Sequence, residues 1–174
     1  MTDKPYRPNV GIAVFNADGR VLIARRYKDD GPEIILPGLE WQMPQGGIDA
    51  DEDPRDAVMR ELWEETGIRH AAMLGETDWM TYEFPAYDGP PHRFSQFRGQ
   101  RQKWFALRFT GRDDEVDPLT ERNGQPTEFD AWRWAPLDRV ADLVVPFRRE
   151  IYRAVVAEFA RFATPAMASP AFNR

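Results

Sequence analysis

The stretch GGIDADEDPRDAVMRELWEETGI, residues 46–68, crowds three glutamates, Glu61, Glu64 and Glu65, near the end of one predicted helix. Asp53 suits the N-cap, Pro54 the first helical position, and Asp56 adds charge that favours the helix dipole. Gly67 supplies a stop. The helix is therefore expected over Pro54–Thr66. Each residue advances by about 100°, so Glu64 falls about 60° to one side of Glu61 and Glu65 about 40° to the other. All three side chains share one sector. Val58 and Leu62 give that sector an apolar border.

Glu61 and Glu65 form a like-charge i,i+4 pair that costs an isolated helix roughly 0.2–0.5 kcal/mol. A solvated charged face, with Arg60 paired to Glu64, accounts for the triplet taken alone. The context points elsewhere. A Gly-Gly turn and a further acid, Glu52, precede the helix. Converging carboxylates bind Mg²⁺ or Mn²⁺ through oxygen and relieve their own repulsion. Such ions neutralise phosphate oxygens and activate water. Zinc does not suit this chain, which has no cysteine and two histidines, His70 and His92, in no ligand-like pair.

The 174 residues fit one domain, expected over 1–163, with residues 164–174 expected to form a mobile tail. Apolar residues are 42% of the chain, enough for a sizeable core. The first residues lack the apolar stretch of a secretory leader, and no run approaches a membrane span, so a cytoplasmic location is expected. A net charge of −6 disfavours coating a nucleic acid, which needs many phosphate contacts, and neither DNA nor a membrane is an expected partner. Gripping one phosphorylated end with a few arginines remains open.

Outward from the helix, NVGIAVFNADGRVLIARRY reads as a hairpin turning at Asp18-Gly19. Lys28–Glu40 reads as a loop or lid with a short apolar centre. AAMLGETDWMTYEF, QKWFALRF and FDAWRWAPL read as strands. Phe147, Ile151, Val155 and Phe159 form a core-facing stripe on a helix expected from about Pro146 to Ala163. Strands on both sides of a central helix, closed by a second helix, suggest an α/β sandwich around a mixed sheet. Arg98, Arg101 and Lys103 interleave with Phe94, Phe97, Trp104 and Phe105. That pattern fits either a single-stranded RNA track or an ordinary strand with aromatics inward.

The 46–68 stretch resembles the Nudix box at Gly46, Glu52, Arg60, Glu61, Leu62, Glu64, Glu65, Gly67 and Ile68. The resemblance implies an α/β/α sandwich, a Nudix loop-helix-loop, and hydrolysis of a nucleoside diphosphate linked to another group. It implies that Glu61, Glu64 and Glu65 carry catalysis and hold two or three divalent ions, with the Gly46 carbonyl as a further ligand. Glu52 and Arg60 would brace the loop, and Gly67 would serve the motif structurally.

YRPNVGI, ARRY, WQMPQGGI, QKWF, EFDAWRW and VVPFRREIY resemble the bacterial RNA pyrophosphohydrolase, or (di)nucleoside polyphosphate hydrolase, branch of that family. This likeness implies Glu128 as an additional metal ligand. It implies that Arg7 and Arg26 hold phosphates, with Phe147 and Arg148 near the 5′-terminal nucleotides. The implied partner is a 5′-phosphorylated single-stranded RNA end or a nucleoside polyphosphate. Oligomeric state is not implied. Two loops depart from the compact pattern, Lys28–Glu40 and GPPHRFSQFRG. Each would alter access to a site or be a neutral surface insertion.

Three functions compete on this reading: hydrolysis of RNA 5′-triphosphate ends, hydrolysis of free dinucleoside polyphosphates, and nucleotide binding without catalysis. Removal of oxidised nucleotides is a weaker option. The same glutamates serve both main enzymatic functions. A pure binder has no need of all three.

Overall fold

The computed structural model describes residues 3–165, so most of the tail expected over 164–174 lies outside the described residues. Its elements are β1 (Tyr6–Phe15), β2 (Val21–Arg26), β3 (Trp41–Gln42), β4 (Gln45–Gly47), α1 (Pro54–Thr66), β5 (Ala71–Glu76), β6 (Met80–Glu83), β7 (Gly99–Phe109), β8 (Phe129–Ala135), α2 (Val140–Leu143) and α3 (Arg149–Phe159). Among the described residues, no helix is long and apolar enough to cross a membrane.

The strands form one mixed sheet. β1 and β7 run parallel along their length, from Tyr6 beside Gly99 to Phe15 beside Arg108. The other pairings are antiparallel. Strand alternation divides the core into two layers. Val10, Ile12 and Val14 of β1 meet Ala57, Val58 and Leu62 of α1 on one face. Ala13 and Phe15 meet Ile151, Val155 and Phe159 of α3 on the other. The expected α/β/α sandwich is thus present. Full burial of Val58 or Leu62 contributes about 1.5–3 kcal/mol each, which outweighs the glutamate repulsion on the same helix.

α1 occupies the expected span. Asp53 Oδ1 accepts from the Arg55 amide at 2.8 Å, and Gly67 closes the helix in the left-handed region at φ 76°. Several elements differ from the sequence reading. AAMLGETDWMTYEF holds two strands, because the chain, after a bulge between Met73 and Gly75 inside β5, breaks at Thr77–Trp79 before pairing again with β7. Thr77 keeps contact through the break: its amide donates to Trp104 O, and its Oγ1 accepts from the Trp104 amide. The closing helix is regular only over α3, flanked by 3-10 turns at Pro146–Arg148 and Ala160–Phe162. No side chain caps the start of α3. The short strands β3 and β4 and the helix α2 were not expected.

β4 positions the site. β2 leaves β1 after the Phe15–Val21 pair, and β4 takes over the freed edge, with Val10 opposite Gly46. This substitution presses the Gly-Gly turn against α1.

Candidate active site

One cleft of about 690 Å³ opens between the glutamate face of α1, the end of β2, and the loops carrying Glu33, Arg93 and Glu128. The glutamate side is built around Arg60. Its Nε and Nη2 donate to the two oxygens of Glu52, each at 2.8 Å, and Nη2 also donates to Gly47 O at 2.8 Å. This fork ties the turn and the loop after it to α1, and it holds Glu52 below the usual carboxylate pKa. Arg60 Nη1 reaches Glu61 at 2.9 Å and Glu64 at 3.2 Å. Asn123 Nδ2 donates to the other oxygen of Glu64 at 2.8 Å. Gly46 passes so close to Glu61 that a Cβ there would overlap its carboxyl group.

Glu65 is served by a backbone hydrogen bond at Gln45. Among the described residues, its Oε2 is sealed from solvent without a hydrogen-bond partner. Burial, then the charges on Glu128 and Glu61, push its pKa well up. Burial also raises Glu61, to about 7, against the pull of Arg60. Glu128 is raised chiefly by burial. Among the described residues, no three acidic side chains are drawn to one point at ligand distance. The donor set is nonetheless oxygen throughout, with an orphaned carboxylate oxygen and two strongly raised carboxyls. This chemistry fits a hard divalent cation.

The cleft is also lined by cations, and Arg7 lies against the Gly46–Gly47 turn. Arg7, Arg26 and Arg148 all line the cleft, although they come from β1, β2 and the turn before α3. Arg7 reaches the neutral Gln100 at 3.4 Å. Arg26 is 8% exposed and donates to Glu33 O at 2.9 Å. Arg148 is 1% exposed; its Nη2 lies 2.8 Å from Glu33 Oε2 and its Nη1 donates to Gln42. Among the described residues, its buried Nε has no partner. Phe147 is not brought into this cleft. It lines a smaller hollow with Tyr6, Tyr82 and Ile151, its ring 5.9 Å from that of Tyr82.

The structure thus gathers Gly46, Glu61, Glu64, Glu65, Glu128, Arg7, Arg26 and Arg148 around one space. Of the weighed track, Trp104, Phe105 and Phe94 are buried, Arg98 pairs with Glu83 and Lys103 with Glu76. Trp104 and Phe105 serve the core, whereas Phe94 lines the cleft.

Glu33 escaped the sequence reading. It is 5% exposed and also accepts from Tyr82 Oη at 2.8 Å and Gln100 Nε2 at 3.1 Å. Its only local signal is a lone acid in the apolar centre of its loop, PEIILP. Gln100 and Gln102 were missed as well. Gln102 binds Asn9 and Gln45 beneath the cleft. Both glutamines share the strand phase of Trp104, which puts polar groups at inward positions.

The NUDIX domain family matches residues 5–155, and the chain belongs to that family. It is 52% identical over 165 residues to the RNA pyrophosphohydrolase of Gluconacetobacter diazotrophicus, covering 94% of this chain and 97% of that protein. It is 49% identical to the RNA pyrophosphohydrolase of Azorhizobium caulinodans, with the same coverage. Among solved structures, the MutT protein of Methanosarcina mazei matches with a TM-score of 0.62 at 21% identity, covering 91% of this chain and 98% of that one. That likeness shows the fold.

Proposed function

We propose that this protein is an RNA pyrophosphohydrolase, which hydrolyses the 5′-triphosphate end of RNA to a 5′-monophosphate and releases pyrophosphate, promoting RNA decay in the cytoplasm. The observation that carries the reading is the gathering of Glu61, Glu64, Glu65 and Glu128 with Arg7, Arg26 and Arg148 around one cleft. The activity named for relatives at about half identity along nearly the whole chain supports it.

In this reading Glu61, Glu64, Glu65 and Glu128, with the Gly46 carbonyl, hold two or three Mg²⁺ or Mn²⁺ ions. When bound, such ions spread phosphate charge and acidify water. The protein's own groups do the rest. Arg7 and Arg26 neutralise phosphate oxygens and orient the chain of phosphates. Arg148, pinned by Glu33, fixes the charge of the cleft floor. Phe147, in the neighbouring hollow, would meet the terminal nucleotides only outside the cleft. A carboxylate of the cluster takes the proton of the attacking water. The water oxygen bonds to the phosphorus nearest the RNA, the anhydride bond breaks, and its electron pair leaves with pyrophosphate.

The test is conversion of 5′-triphosphorylated RNA by the purified protein, with Mg²⁺ or Mn²⁺ and again with EDTA. Monophosphorylated RNA and pyrophosphate should form only with the metal. Full activity in EDTA, or no conversion with either ion, overturns the reading.

A further inference from the structure

The two loops that depart from the compact pattern meet over the cleft. Asp30, from the Lys28–Glu40 loop, accepts from Arg93 of the GPPHRFSQFRG loop: Nη2 sits on Oδ2 and Nε is 3.4 Å from Oδ1. His92 Nε2 lies 2.9 Å from the same Oδ1. Gly31, at φ 60°, passes so close to the His92 ring that a Cβ would overlap it. The loops are thus joined by an ion pair and a tight backbone passage.

This junction sets the position of Arg93. Its guanidinium lies 4.5 Å over the Phe94 ring and 4.0 Å from Glu128. Phe94 is buried and stacks on Phe84, so it is a fixed platform. Arg7 lies over the same ring at 5.0 Å. Two guanidiniums therefore share one aromatic ring, and Arg7 has a neutral amide for company. An anion between them would relieve their repulsion. Arg93 is 54% exposed, unlike the enclosed Arg26 and Arg148, and its fork can turn to a ligand without unfolding anything.

We propose that Arg93 is a further substrate-binding residue, a guanidinium that Asp30 and Phe94 hold at the cleft mouth to grip a phosphate oxygen beside Arg7, with Asp30 as its positioning residue. This deepens the proposed function and rests on the cleft taking a polyphosphate. It also gives the two departing loops a joint role.

The probe is a non-hydrolysable methylene analogue of inorganic tripolyphosphate, titrated calorimetrically into the full chain with Mg²⁺. Charge-assisted contacts of this kind predict that Arg93→Ala weakens binding about tenfold or more. Arg93→Lys should recover part of the loss, because charge is kept while the fork is not. Arg112→Ala, on an exposed arginine outside the cleft, should bind as the wild type. Asp30→Asn should weaken binding in the wild type and add nothing in the Arg93→Ala background. Wild-type affinity in a folded Arg93→Ala protein overturns the proposal, as does a wild type that binds no analogue. Additive losses for Asp30 and Arg93 overturn the positioning role. If the wild type binds the analogue and Arg93→Ala does not, yet triphosphorylated RNA is not turned over, the proposed function fails while the Arg93 assignment stands.

Discussion

Glu33 Oε2 lies 2.8 Å from Nη2 of Arg148, and both side chains are all but removed from water. The acid comes from a loop without regular structure and the base from the turn before the last helix. Their meeting joins the far ends of the chain across the floor of the cleft. A buried pair of this kind need not exceed an apolar replacement in stability, but removing one partner strands a charge.

Glu33→Ala should accordingly destabilise the fold by roughly 3–5 kcal/mol, measured by urea unfolding. The paired replacement Glu33→Leu with Arg148→Met should recover most of that loss. A near-zero effect of Glu33→Ala would mean that water or another acid reaches Arg148.

The same pair has a pH signature. Burial alone would raise the Glu33 pKa, but Arg148, Tyr82, Gln100 and Arg26 outweigh it and draw it down from 4.5 to about 2. A depressed folded-state value stabilises the fold fully above the unfolded value, and the gain is lost as pH falls through the folded one. Wild-type stability should therefore decline between about pH 4.5 and pH 2 more steeply than that of Glu33→Gln. The check is unfolding free energy across that range. Parallel profiles would show that Glu33 titrates normally.

The glutamates of α1 should separate catalysis from stability. Glu65→Gln removes a charge whose Oε2 has no partner, so stability should hold or rise. Glu64→Gln touches a carboxylate served by Arg60 and Asn123, so any gain should be smaller. Hydrolysis should fall by orders of magnitude in both, about 10²-fold or more, if each carboxylate holds an ion that stabilises developing charge. Thermal unfolding and turnover at saturating metal provide the comparison. Near-normal turnover in both variants would reduce the triplet to a charged helix face.

The helix carrying those glutamates was legible because its signals are local: a cap at Asp53, proline at its first position and glycine past its end. The α3 stripe was legible from the spacing of Ile151, Val155 and Phe159, all buried. The break at Thr77–Trp79 that splits β5 from β6 was not, since it answers to the register of β7 rather than to its own residues. β4 is short and exists because β1 offers it an edge. The cleft divides in the same way. The α1 glutamates and Arg60 sit within one contiguous motif, and Glu128, Arg7, Arg26 and Arg148 entered through resemblance. Glu33, Arg93 and Asn123 act through partners distant in sequence, and no periodicity or spacing marks such pairings.

The carboxylates and arginines of the cleft are proposed to serve an RNA 5′ end. The most direct test is the ratio of kcat/KM for 5′-triphosphorylated RNA to that for a diadenosine polyphosphate, measured on one purified sample with Mg²⁺. The expected ratio is well above one, with 5′-monophosphorylated RNA and pyrophosphate as products. Prompt turnover of the dinucleoside with the RNA end left intact would contradict it.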